Sequence, residues 1–162
     1  MAGINTMFVQ PLTAIRSTTE QHDVVGTLRR EGNKWYKCVA LKTAPTADVD
    51  CVVGDALCYT DYSAHEVGSD VTDQDATLPA GIALGTIDMS ADKGKIVWIQ
   101  VKGPATVAIT VANSAAAGQL FDLGSTGVAD KTFTLWVSTN EYTPAGTLIN
   151  ATTKEVLLDC PF

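Results

Sequence analysis

The sequence predicts an all-β fold: a single β-barrel or β-sandwich domain carrying an extended N-terminal arm. Three observations lead there. Thr, Ala, Val and Gly dominate, at 21, 20, 16 and 13 of 162 residues, a mixture that favours strands and tight turns over helices. From Gly26 onward, short apolar runs rich in Val, Ile, Thr and aromatics alternate with turn clusters, the rhythm of successive strands. The one helix candidate, Ala112–Ala117 ended by Gly118, is too short to stand alone and is allowed a single turn. A chain of 162 residues is one domain's worth, and it is long enough to bury a core without staples.

Residues 1–25 read differently from the rest. Phe8, Val9, Leu12 and Ile15 are apolar, but Pro11 interrupts them and no helical or alternating period is sustained. An extended arm ordered against a partner or a neighbouring subunit is one reading, and a buried first strand is the other. Residues 26–162 then form the β domain. Strands are expected over 34–42, 51–59, 80–88, 94–102, 105–111, 118–123, 132–138, 146–150 and 154–159. Ile96-Val97-Trp98-Ile99-Gln100-Val101 has so few polar breaks that it is expected to be buried on both faces. The acidic stretch 61–78 reads as a long surface loop.

A weak internal repeat supports closure of the sheet. Gly26-Thr27-Leu28, Gly85-Thr86-Ile87 and Gly146-Thr147-Leu148 each precede a Lys-led apolar run. Pro79-Ala80-Gly81 recurs as Pro144-Ala145-Gly146, and Val53-Gly54-Asp55 has a counterpart in Ala117-Gly118-Gln119. Each copy is expected to be a hairpin whose apolar face needs the other copies to cover it, which also protects edge strands.

Charge and motifs narrow the function classes. Eleven basic residues against 18 acidic give a net charge of −7, which argues against a nucleic-acid partner because phosphate affinity depends on clustered Lys and Arg. No apolar run is long enough for a spanning helix, and the N-terminus lacks the basic and apolar regions of a secretory signal. No membrane partner is expected, and a reducing cytosol is the expected place of assembly. Cys38, Cys51, Cys58 and Cys160 match no metal or redox spacing, so they read as thiols, with Cys38 and Cys58 serving as small apolar residues in strands.

Catalytic signatures are missing. There is no GxSxG elbow, GxGxxG or Walker loop, and His22 and His65 have no Ser or Cys motif beside them. Asp70-Val71-Thr72-Asp73-Gln74-Asp75 offers oxygens for a hard cation, but without the EF-hand pattern it reads as a solvated loop. Trp35, Trp98 and Trp136 sit in expected strands and read as core or subunit interface. No catalytic residue, metal or cofactor is therefore assigned, and the chain is expected not to be an enzyme.

One segment carries a resemblance. Pro79-Ala80-Gly81-Ile82-Ala83-Leu84-Gly85-Thr86, then Lys93-Gly94-Lys95-Ile96-Val97-Trp98-Ile99-Gln100-Val101-Lys102-Gly103, then Ala115-Ala116-Ala117-Gly118-Gln119-Leu120 resembles small structural proteins of tailed bacteriophages. The likeness covers roughly residues 50–130 and rests on phrasing and strand rhythm, with no invariant functional residue. It implies a capsid decoration or cement protein: a β-rich homotrimer on the outer capsid surface of the virion, assembled in the host cytoplasm and partnered by the major capsid protein and its own copies. Phe8, Val9, Leu12 and Ile15 are the candidate arm residues for partner binding. A phage tail or fibre component is the alternative. A metal- or ligand-binding barrel using Cys58, His65 and the acidic loop is a third.

Overall fold

The computed structural model describes residues 11–17, 24–44, 48–70, 78–110, 116–123, 133–135 and 144–161. Among them the chain is all β: β1 (Leu28–Glu31), β2 (Lys34–Leu41), β3 (Ala56–Asp61), β4 (Glu66–Gly68), β5 (Pro79–Ala83), β6 (Ile96–Thr106), β7 (Ile109–Thr110), β8 (Leu120–Leu123), β9 (Phe133–Leu135), β10 (Gly146–Asn150) and β11 (Glu155–Asp159). Five of these, in the order β2-β4-β3-β5-β6, form a closed barrel, with the remaining strands outside the ring. The ring closes where β6 pairs antiparallel with β2, from Trp35↔Lys102 to Ala40↔Ile96. The β2–β4 ladder is parallel and the other ladders of the ring are antiparallel.

The two long strands explain why the ring is stable. Successive side chains of a strand point to opposite faces, so a strand without polar breaks needs cover on both. In β2 and β6, Val39, Leu41, Val97, Ile99 and Val101 join the main core. Tyr36, Cys38, Ile96 and Trp98 form a second cluster, against which Leu12, Val25 and Leu84 pack. Burial of β6 on both faces, expected from its composition, is thus met by two separate apolar layers.

Several element boundaries differ from the sequence expectation. The segments 94–102 and 105–111 are one strand as far as Thr106, because Pro104 pairs with Leu157 without ending the ladder. Strand 51–59 begins only at Ala56, and Cys51 makes an isolated bridge to Ile87. Strand 80–88 ends at Ala83. The stretch 61–78 is not a surface loop throughout: Glu66–Gly68 is a strand between β2 and β3, and Ser69 and Asp70 are buried. β1, with one apolar residue in Leu-Arg-Arg-Glu, is absent from the expected strands; only the repeat placed a strand at Gly26-Thr27-Leu28 returning at Lys34, and β1 runs on from Leu28 to Glu31 in that hairpin. Helix candidate 112–117 lies mostly outside the described residues.

The repeat is real in part, and longer than a hairpin. Gly85-Thr86-Ile87 does not pair with β6, whose neighbour is β5, so the three-hairpin version fails. The other two sequence matches hold in detail. Val52 N–H donates to the Asp55 carboxylate at 2.8 Å, and Ala116 N–H donates to the Gln119 side-chain carbonyl at 2.7 Å. Between them Gly54 and Gly118 share a left-handed φ, 89° and 91°. Gly54 N–H donates to Ala83 O at 3.0 Å and Gly118 N–H to Leu148 O at 2.8 Å. Leu57 pairs with Gly81 as Phe121 pairs with Gly146.

The ladders then follow the same circuit twice. β2 is parallel to β4, which pairs β3, then β5, then β6, which returns to β2. In the second circuit β7 is parallel to β9, which pairs β8, then β10, then β11, which returns to β6. β7 follows β6 after two residues, so β6–β7 plays in the second circuit the part of β2 in the first. One strand, β6, therefore serves both.

Candidate interaction surface

The groups that suggested chemistry in the sequence are mostly turned inward. Cys38, Cys51, Cys58 and Cys160 are all buried and unbridged. Cys58 Sγ faces the carbonyls of Gly68 and Asp70 at 3.4 and 3.2 Å. Burial pushes the Cys160 thiol up to about 12, with Asp159 adding to the shift, which leaves it without thiolate character near neutrality. His65 instead faces Tyr62, with ring centroids 6.4 Å apart, and its buried Nδ1 has no hydrogen-bond partner. Burial first, and the Lys37 charge second, lower its pKa. Cys58 and His65 thus point at different surroundings and form no nucleophile–base pair. His22 lies outside the described residues.

Sequence reading missed one polar cluster. Lys37, on the barrel's inner face, is 2% exposed; its Nζ donates to Tyr59 Oη at 2.9 Å and lies over the rings of Tyr59 and Tyr62 at 5.0 and 5.4 Å. Burial lowers the Lys37 pKa and raises that of Tyr59. An ammonium so enclosed reaches no outside molecule, and the cluster locks β2 to β3. Nothing in Trp35-Tyr36-Lys37-Cys38-Val39 marks Lys37 except that alternation puts it on the face of Val39 and Leu41.

The acidic residues that are described also serve the fold. Asp48 Oδ1 accepts from Ser69 N–H and from Asp70 N–H at 3.0 Å. Asp61 and Asp88 cap exposed turns; hydrogen bonds from Ser63 and Ala64, and from Ala91 and Ser90, lower their pKa values. Among the described residues no three His, Cys, Asp or Glu side chains come together to hold a metal. Asp73 and Asp75 lie outside the described residues.

Of the four arm residues, Phe8 and Val9 lie outside the described residues. Leu12 packs on the Trp98 cluster and Ile15 on the main core. Arg16 and Ile96 exchange backbone hydrogen bonds, at 2.9 and 2.8 Å, in an antiparallel bridge. Residues 11–17 are thus a cover for the barrel's own outer face, between the Leu84–Ile87 segment and β6. Trp35 and Trp98 stand on β2 and β6 as expected, and Trp136 lies outside the described residues.

The surface itself offers a different candidate. Leu120, Ile149 and Leu157, on the adjacent strands β8, β10 and β11, are 39%, 48% and 49% exposed. Thr147 pairs with both Leu120 and Leu157, which places these two in one row across the sheet, with Ile149 two residues along on the same face. Beside them lies an open cavity of about 390 Å³, lined by Lys34, Pro104, Thr106, Ile149 and Glu155 among others. In Glu155-Val156-Leu157-Leu158-Asp159 exposure alternates strictly, so the sequence did hold the signal: a Leu set on the face of two carboxylates. Comparison with protein families, characterised proteins and solved structures finds no match to this chain.

Proposed function

We propose that this chain is a non-enzymatic virion structural protein that decorates and stabilises a capsid, bridging neighbouring capsomers as a homotrimer. The observation that carries the reading is the outward apolar row Leu120, Ile149 and Leu157 on hydrogen-bonded strands. Side chains held on the outside of a paired sheet have no route into the core, so only another surface covers them. The four cysteines are buried and the Lys37 ammonium is enclosed against Tyr59, which suits a structural role. The resemblance of residues 50–130 to small structural proteins of tailed phages supplies the kinds of surface: other copies of the chain, which can cover this row, and the major capsid protein, which the assembled copies then bridge. Residues 2–15 carry no charged side chain, which suits Phe8 and Val9 to an apolar groove on a neighbour.

Mechanically, a subunit that touches two capsomers only when they adopt the mature spacing binds that state selectively. It then stabilises the shell by mass action, as any ligand stabilises the state it prefers. The test is to image particles assembled with and without this protein. Expected is added density on the outer surface where capsomers meet, with particles lacking it breaking at lower temperature. Density at the tail, or none, overturns the reading.

A further inference from the structure

Positions on the closed barrel have counterparts in the second circuit, and one face that is covered in the first circuit is, among the described residues, open in the second. Register fixes the correspondence. Tyr36↔Gln100 and Cys38↔Trp98 in the first circuit match Pro104↔Leu157 and Thr106↔Glu155 in the second. The Gly54–Ala83 and Gly118–Leu148 hydrogen bonds match Leu84 to Ile149, the residues that follow. The outer cluster of the first barrel, built on Tyr36, Cys38 and Trp98 with Leu84 against it, thus corresponds to Pro104, Thr106, Glu155 and Ile149. Those four residues line the open cavity. In the first barrel the chain's own Leu12 and Val25 lie on this face, and Trp98 is 6% exposed. Over the second, among the described residues, Ile149 and Leu157 remain half exposed.

From this we infer that the β10–β11 face of the second circuit is the self-association surface, covered by the same face of another copy of the chain. Charge complementarity selects that occupant. Lys34 and Glu155 both line the cavity, and among the described residues neither has an ion-pair partner. The neighbouring Lys102 is already joined to Asp159 at 2.6 Å. A second copy brings its Glu155 to the first copy's Lys34 while Ile149 and Leu157 meet at the centre. In a chain of net charge −7, two copies repel at most surfaces, and this one offers a cation for each anion. Around a threefold axis each copy gives its Lys34 to one neighbour and its Glu155 to the other, the heterologous contact by which a trimer closes, whereas two copies alone would exchange both pairs around a twofold. The inference rests on the reading above only for self-association; the capsid plays no part in it.

The experiment measures the mass of the full chain in solution by sedimentation across a concentration series, with circular dichroism confirming the fold of each variant. Leu157→Glu changes an exposed residue and is expected to give single chains. Lys34→Glu and Glu155→Lys each raise the concentration for half-dissociation by about tenfold or more, and the double variant returns it close to the wild-type value. A wild-type chain that stays single overturns the inference, as does an oligomer indifferent to Leu157→Glu or a double variant weaker than either single one. None of these results bears on whether particles carry added density, so failure here is distinguishable from failure of the capsid reading.

Discussion

At the scale of single residues, the pair Gly54 and Gly118 separates two costs that usually come together. Both sit near φ +90°, a conformation that strains any residue with a Cβ. Around Gly118 a Cβ meets nothing within 4 Å, whereas at Gly54 it meets Thr106 O at 2.8 Å. Gly118→Ala is therefore expected to lose about 1 kcal/mol, the strain alone. Gly54→Ala adds overpacking against backbone that cannot yield, and the loss rises to about 3 kcal/mol. Urea denaturation of the two variants measures the difference, and equal losses contradict the packing contribution. The glycines were legible as turn residues in the sequence. What separates them was not, because the Thr106 carbonyl comes from a strand some fifty residues further along.

At the scale of elements, legibility followed how much of a strand's reason for existing lies within it. β10 was placed at its observed limits and β2 within a residue, because alternating or continuous apolar runs bounded by turns carry their own signal. β1 and β4 carry almost none. β1 exists because β2 offers a ladder edge, and its charged residues suit an edge strand; three-residue β4 is held between β2 and β3. The segment 11–17 shows the same limit. That Leu12 and Ile15 need cover was readable, but that their cover is Trp98, Leu84 and the barrel core depends on contacts far along the chain. Removing residues 1–10 leaves the contacts of Leu12, Ile15 and Arg16 in place, so tryptophan emission should stay close to that of the full chain. Removing residues 1–17 takes away both Arg16–Ile96 hydrogen bonds and the Leu12 part of the apolar cover over the Trp98 cluster, leaving Val25 and Leu84. Emission should then shift to the red and stability fall by about 3 kcal/mol. Identical spectra for the two truncations contradict the assigned role of the segment.

At the scale of the whole molecule, the shared strand decides how the two circuits depend on each other. β6 gives Ile96–Lys102 to β2 and Lys102–Thr106 to β11, and the buried side chains of both circuits, from Val39 to Leu158, form one cluster. The dependence is unequal. The first ring closes with β2, β3, β4, β5 and β6 alone, while the second has no return path for β11 without β6. Full-length chain should therefore unfold in one transition, with far-ultraviolet dichroism and tryptophan emission coincident. A fragment of residues 1–110 keeps every strand of the closed ring but loses Phe121, Leu148, Val156 and Leu158 from its core; it should fold, at lower stability. The complementary fragment 111–162 lacks both β6 and β7, leaving β11 an unpaired edge and the inner faces of β8 and β10 open to water, and should show no cooperative transition. A folded 111–162 fragment, or two separated transitions in the full chain, would mean that the second circuit stands without the strand it borrows.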